Sequence, residues 1–249
     1  MANPLKIAGK VTLVKKHDEG VYTLVIKPER KVPRFKPGQF LHLTVDEYDP
    51  YGGYWPESRV FSIASAPAGD TIELIYSVKG RYTSRMSSEL QAGSRVWIKM
   101  PYGDFTIESL VKPGQDIVLV AGGTGISPYI SYLRAIVDAD LIPARKVHLI
   151  YGIRNGRHFL FPEVIKNCTD RDLPVDVDVF IEQETSLPPV ENVSLLKGMI
   201  TLEHLIAVGK RLTDAVYFLS GPPAMITSFS SGLLSSGIPQ EHIKIDAWE

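Results

Sequence analysis

The rhythm of hydrophobic and polar positions changes near the middle of the chain. From Lys6 to Met100 the apolar residues come in short runs rich in Val, Ile, Thr, Tyr and Phe, punctuated by Pro-Gly, Gly-Gly and Ala-Gly-Asp. Such runs predict β-strands over Lys6–Val14, Val21–Ile26, Gln39–Val45, Arg59–Ile63, Glu73–Val78 and Arg95–Met100. Thr83–Leu90 breaks the series and reads as one short helix between the fifth and sixth strands. Six strands with one inserted helix predict a small, nearly closed antiparallel barrel. From Gln115 onward the texture differs. The run DIVLVAGG is continuously apolar and ends in glycines, as a buried parallel strand does. Ile130, Leu133, Ile136 and Val137 follow at helical spacing. Strands over Lys146–Tyr151, Val175–Ile181, Ala215–Ser220 and Ile243–Asp246 then alternate with helices over Pro162–Asn167, Leu202–Val208 and Pro223–Leu234. The expected fold class is β plus α/β: a six-stranded antiparallel barrel over residues 1–108, then a five-stranded parallel α/β unit over 109–249. The boundary is expected in TIESLVKPGQ, residues 106–115.

Composition narrows the chemistry. A length of 249 residues, 44% hydrophobic, accommodates one large domain or two modest ones. No run approaches the ~18 apolar residues of a membrane span, and the first twenty residues lack an apolar signal-peptide core. Twenty-seven basic against 28 acidic residues leave no nucleic-acid footprint and no polybasic membrane patch. One cysteine, Cys168, excludes an internal disulfide or a thiolate metal cluster built from this chain alone; it reads as a surface or half-buried thiol. The six histidines, among them His148, His158, His204 and His242, show no ligand spacing and read as structural or solvated. The expectation is a cytoplasmic protein without a metal.

The strongest single motif is VLVAGGTGISPYISYLR. An apolar strand runs into Gly122, Gly123, Thr124 and Gly125, with Ser127 as the expected N-cap and Pro128 at the first helical position. Glycines let the backbone approach a phosphate, and a helix N-terminus offers unpaired N–H groups and the positive end of its dipole. This is neither the Rossmann fingerprint, because Pro128 stands where the last glycine belongs, nor a P-loop, because no Gly-Lys-Ser/Thr follows. A plain strand-to-helix turn remains the alternative. In the first half, RVFSIAS places Arg59, Phe61, Ile63 and Ser65 on one face of a strand and Val60, Ser62 and Ala64 on the other. An Arg and an aromatic two apart can pair a phosphate with a planar ring; an edge strand with a solvated Arg is the alternative.

Taken together and in order, RVFSIAS, GRYTSRM, GGTGISP and SGPPAMI resemble the motifs of the ferredoxin–NADP reductase family, and the resemblance runs from about Ala8 to Asp246. It implies a flavin-binding barrel followed by a nicotinamide-binding α/β domain, with FAD and NAD(P)H as cofactors. It gives Arg59 the flavin phosphates and Phe61 the isoalloxazine face, where the family more often has Tyr. Ser62 falls close to flavin N5, with Ile63, Ser65 and Val78 completing the flavin contacts. Gly80, Thr83 and Ser84 fall at the pyrophosphate; an ordinary capped helix uses the same residues. Gly123, Thr124 and Gly125 match the nicotinamide-dinucleotide turn. Ser220, Gly221 and Pro222 stand where the family has Cys-Gly-Pro, so Ser220 joins Ser62 as a catalytic candidate. Glu182, after the third parallel strand, suits a ribose 2′-OH and repels a 2′-phosphate, which favours NADH; Arg154 is the nearby basic candidate for the opposite choice. Trp248 covers the second flavin face or closes the last strand.

The function so implied is a flavoprotein reductase that takes hydride from NAD(P)H onto FAD and delivers electrons to a separate acceptor. That acceptor is a ferredoxin, a flavodoxin, an oxygenase component or a small molecule. The alternatives are an FMN-dependent reductase and a non-catalytic flavin-binding or redox-sensing subunit of a larger complex.

Overall fold

A computed structural model of the chain describes residues 4–18, 20–138, 145–171, 173–183 and 192–246. Six strands build the first sheet: β1 (Leu5–Lys16), β2 (Val21–Pro28), β3 (Phe40–Thr44), β4 (Arg59–Ser62), β5 (Ile72–Ser77) and β6 (Arg95–Tyr102). They pair antiparallel in the order β4-β3-β6-β1-β2-β5. The edges nearly close: beyond the end of β4, the Ala64 N–H donates to the Glu73 carbonyl of β5 at 2.8 Å. Inward-pointing Leu24, Ile26, Leu41, Leu43, Ile72 and Leu74 fill the barrel, as strict alternation on half-buried strands demands. Helix α1 (Arg81–Glu89) plugs one end with Tyr82 and Met86.

The second sheet is parallel throughout, in the order β10-β9-β8-β7-β11-β12. Its strands are β7 (Ile117–Gly122), β8 (Val147–Ile153), β9 (Val175–Ile181), β10 (Val193–Lys197), β11 (Val216–Ser220) and β12 (Ile243–Ile245). Five strands were expected and six are present. The extra one, β10, is a short edge strand with Ser194, Leu195 and Lys197 exposed, so it carries no buried apolar run to announce it. Helices α2 (Ser127–Val137) and α3 (Pro162–Asp170) cover one face; α4 (Leu202–Gly209) and α5 (Pro223–Ser235) cover the other.

Helix α2 is buried along almost its whole length because it lies between the parallel sheet and the barrel. Ser131 Oγ donates to the Ser65 carbonyl at 2.8 Å, and Arg134 reaches both the Ala64 carbonyl at 2.9 Å and Glu73 at 2.5 Å. Among the described residues no helix is long and apolar enough to cross a membrane. Cys168, expected at or near the surface, is fully buried on the sheet-facing side of α3.

Two of the scattered histidines meet on one carboxylate. Asp178, 6% exposed on β9, accepts from His148 Nε2 of β8 at 2.8 Å and from His204 Nε2 of α4 at 2.7 Å. Burial opposes ionisation of Asp178, but the two histidine hydrogen bonds outweigh it and bring the carboxyl down to about 2. A carboxyl lowered in the fold stabilises above its unfolded value of about 4 and ceases to do so as pH falls through about 2. Asp178→Asn is expected to cost roughly 1–3 kcal/mol at neutral pH, because both rings lose a charged acceptor in a dry site. Urea unfolding at pH 7 checks this; an unchanged midpoint would count against the latch.

Candidate active site

The order of the parallel strands reverses between β7 and β11, and ligands of open α/β sheets bind beyond the carboxyl ends of strands at such a point. Here the crevice opens toward the barrel. It forms a cleft of about 1190 Å³ lined from both halves, larger than the roughly 300–1,000 Å³ of ordinary small-molecule pockets.

On the barrel side, Arg59, Val60, Phe61 and Ser62 of β4 all line the cleft, so this edge strand presents both its faces there. The strand stops at Ser62 because the chain turns toward β5: Ile63 N–H donates to the Gln39 carbonyl and Ala64 N–H to that of Glu73. Ile63 consequently points into the barrel core and Ser65 lies against α2, both away from the cleft lining. The Arg59 guanidinium lies over the Tyr82 ring at 4.5 Å and pairs with Glu57 at 2.7 Å. Tyr82 Oη in turn donates to the Glu57 carbonyl at 3.0 Å and accepts from Val45 N–H at 3.1 Å. An aromatic floor therefore sets where Arg59 offers its charge. Gly80 precedes α1 and lines the cleft together with Thr83, whose Oγ1 accepts from the N–H groups of Lys79 and Gly80 at 3.0 and 3.2 Å. The amides of the following first turn have no partner inside a helix. Val78 packs against the barrel core and Ser84 is exposed on α1; neither lines the cleft.

On the parallel-sheet side, Gly123–Ile126 form one 3-10 turn before α2. Ser127, expected as a cap, is already helical, and its Oγ donates to the Thr124 carbonyl at 2.7 Å. Gly125 is held against the end of β11: a Cβ there would lie 2.4 Å from the Ser220 oxygen and 2.6 Å from Gly221 N and Cα. Gly221 answers with φ of 152° and a Cβ position 2.9 Å from Gly122 N. Only glycines let the ends of β7 and β11 meet this closely.

Beneath that junction lies a pair the sequence reading missed. Ser220 Oγ donates to Asp246 Oδ2 at 2.9 Å, with the two residues 3% and 8% exposed. Asp246 is fixed by its own N–H, which donates to the Leu219 carbonyl at 2.9 Å. Burial pushes its carboxyl up to about 7, although the Ser220 hydrogen bond pulls the other way. Asp246 Oδ1 is buried without a partner among the described residues, as are Tyr76 Oη and His158 Nδ1, and all three residues line the cleft. At the rim, Glu182 N–H donates to the Ile153 carbonyl and Gln183 N–H to that of Arg154, so the ends of β8 and β9 bring Arg154 and Glu182 to one side of the cleft. Gly198 N–H donates to the Ile181 carbonyl at 2.8 Å, so the segment Gly198–Ile200 lines the cleft beside them, and Pro222 lines it at the start of α5. Trp248 lies outside the described residues.

Residues 119–231 match the sequence profile of the oxidoreductase NAD-binding domain. The whole architecture superposes on a ferredoxin–NADP reductase from Neisseria gonorrhoeae with bound FAD and NADP, at a TM-score of 0.73 and 20% identity over 98% of both chains. The fold is that of the ferredoxin–NADP reductases, and the second half of the chain matches the NAD-binding domain of oxidoreductases.

Among curated proteins similar to the chain, a flavohemoprotein of Rhodopirellula baltica is 24% identical over 95% of the chain and 59% of its own length. The ferredoxin reductase component of a 3-ketosteroid-9-alpha-monooxygenase from Mycolicibacterium smegmatis is 25% identical over 87% of the chain and 56% of its own length. The chain thus spans little more than half of these relatives.

Proposed function

We propose that the cleft takes FAD against the barrel and a nicotinamide dinucleotide, NADH in preference to NADPH, against the parallel sheet, and that the protein moves electrons between them and on to a separate acceptor. The carrying observation is that two phosphate-suited elements face one another across one cleft. One is Arg59 with the N-terminus of α1; the other is the Gly122–Gly125 turn. The residues fit a flavin: a stacked cation for its phosphates, the face of Phe61 for its ring, the Ser62 hydroxyl on the same strand, and buried polar atoms still lacking partners. When bound there, a flavin supplies the hydride acceptance and the one- or two-electron release that no side chain offers.

The chain's own residues do the rest. Tyr82 orients Arg59, and Arg59 binds. The Gly125–Gly221 contact holds the ends of β7 and β11 together where the nicotinamide dinucleotide would lie. Ser220 and Asp246 close the floor of the cleft against water. With its carboxyl at about 7, Asp246 passes between protonated and ionised forms near neutrality and holds a proton at Oδ1 or releases it. Reductase components among the relatives support a protein acceptor, such as an oxygenase component, a ferredoxin or a flavodoxin.

The test is the visible spectrum of the purified protein, followed by anaerobic titration with NADH and then NADPH. A flavin spectrum bleached efficiently by NADH is expected. A flavin reduced by neither nucleotide would sink the reductase reading in favour of a non-catalytic flavin-binding subunit. Glu182→Ser is expected to shrink the NADH-over-NADPH preference in kcat/KM about 5- to 10-fold, since the exposed carboxylate no longer repels a 2′-phosphate. An unchanged ratio would transfer the discrimination to Arg154.

A further inference from the structure

Tyr76 lines the cleft from β5, beside Phe61, with ring centroids 6.1 Å apart. Its other neighbour is Tyr22, directly across the β2–β5 ladder and stacked on it at 5.2 Å. The residue is 2% exposed, and its hydroxyl has no hydrogen-bond partner among the described residues. A phenol is kept in an apolar barrel at a cost unless something satisfies it, and phenylalanine would fill the same space without that cost. Phe61, beside it on the cleft wall, has no hydroxyl to offer, and the hydroxyl of Tyr82 is already bonded to the Glu57 carbonyl and Val45 N–H.

We infer that Tyr76 is a flavin-positioning residue, whose hydroxyl donates to an oxygen of the ribityl chain. The inference rests on the flavin reading above and adds to it the group that sets the depth of the flavin. Burial, with Tyr22 beside it, pushes the Tyr76 phenol up to about 12, so it remains a donor throughout the neutral range. Phe61 then provides a flat apolar face and Tyr76 the polar anchor, a division of labour between two strands that one tyrosine at position 61 would perform alone.

The experiment is fluorescence titration of the flavin-free protein with FAD and, separately, with lumiflavin, which has the ring but no ribityl chain. Tyr76→Phe is expected to weaken FAD about five- to twenty-fold and to leave lumiflavin unchanged. Adding Phe61→Tyr to that variant is expected to recover most of the loss. The thermal midpoint of the flavin-free Tyr76→Phe protein is expected to hold or rise, because the hydroxyl has no partner to lose. Unchanged FAD affinity, an equal loss with lumiflavin, or a fall of several degrees in the flavin-free midpoint would each overturn the assignment. Absence of FAD binding by the unaltered protein would instead overturn the flavin reading itself.

Discussion

Replacing Gly125 by Ala is expected to slow reduction of the bound flavin by NADH by roughly 100-fold while leaving flavin content unchanged. The added methyl meets three atoms, the Ser220 oxygen and Gly221 N and Cα, all at 2.6 Å or less and all backbone. No rotamer change relieves such a clash, so the ends of β7 and β11 must part. Overpacking of this kind costs roughly 1–3 kcal/mol of stability, and a displacement near 1 Å between reacting groups is enough for a loss on the order of 100-fold. The barrel wall is untouched, which is why binding of the flavin and its reduction are expected to separate. Stopped-flow reduction with NADH, alongside the flavin-to-protein absorbance ratio, measures both. Wild-type reduction rates would show that the glycine junction has no part in placing the nicotinamide.

Asp246→Asn is expected to remove a pH dependence of stability that the parent protein carries between pH 4 and 8. The carboxyl sits at about 7 in the fold and near 4 in an unfolded chain. Because the folded state holds the proton more tightly, this group favours folding fully below about pH 4, and its contribution is lost as pH rises through about 7. The whole swing amounts to up to about 4 kcal/mol. Asparagine keeps an acceptor for Ser220 Oγ and never ionises, so the variant is expected to be the more stable protein at pH 8 and to show a nearly level profile. Urea unfolding at pH 5 and pH 8 decides it: a parent whose stability does not fall relative to the variant across that interval would exclude a buried, titrating Asp246. The same substitution is expected to flatten the pH dependence of flavin reduction by NADH, since the proton held at the cleft floor no longer exchanges.

Elements that bury an apolar face were legible from the residues alone. The six barrel strands and all four sheet-covering helices fall within a few positions of their expected limits, because alternation and helical spacing are imposed by burial itself. What escaped was exposed or non-local. Strand β10 is an edge strand paired with β9, with no fully buried residue, and it follows the Pro-rich SLPPVEN, so it reads as loop. Within RVFSIAS, alternation placed Ile63 and Ser65 with Arg59 and Phe61; it could not register that the chain leaves the strand at Ser62 to reach β5. Asp246 looked like a polar strand end, and its significance lies in Ser220, 26 residues away in sequence. The one sequence signal that points to it is its position at the carboxyl end of a parallel strand, where ligands gather. Tyr82 fell just ahead of the expected helix, and its stacking under Arg59 is a tertiary fact.

The burial of Cys168 makes the molecule its own reporter. The chain has one thiol, enclosed between α3 and the sheet, with burial pushing its ionisation up to about 12. A thiolate is the species that alkylating reagents attack, so the intact fold is chemically silent toward them. Every alkylation event therefore counts an excursion in which α3 lifts from the parallel sheet, timed on one half of the protein and blind to the other. Cysteines introduced anywhere on the surface would carry probes at a single known position, with the native residue left as it is.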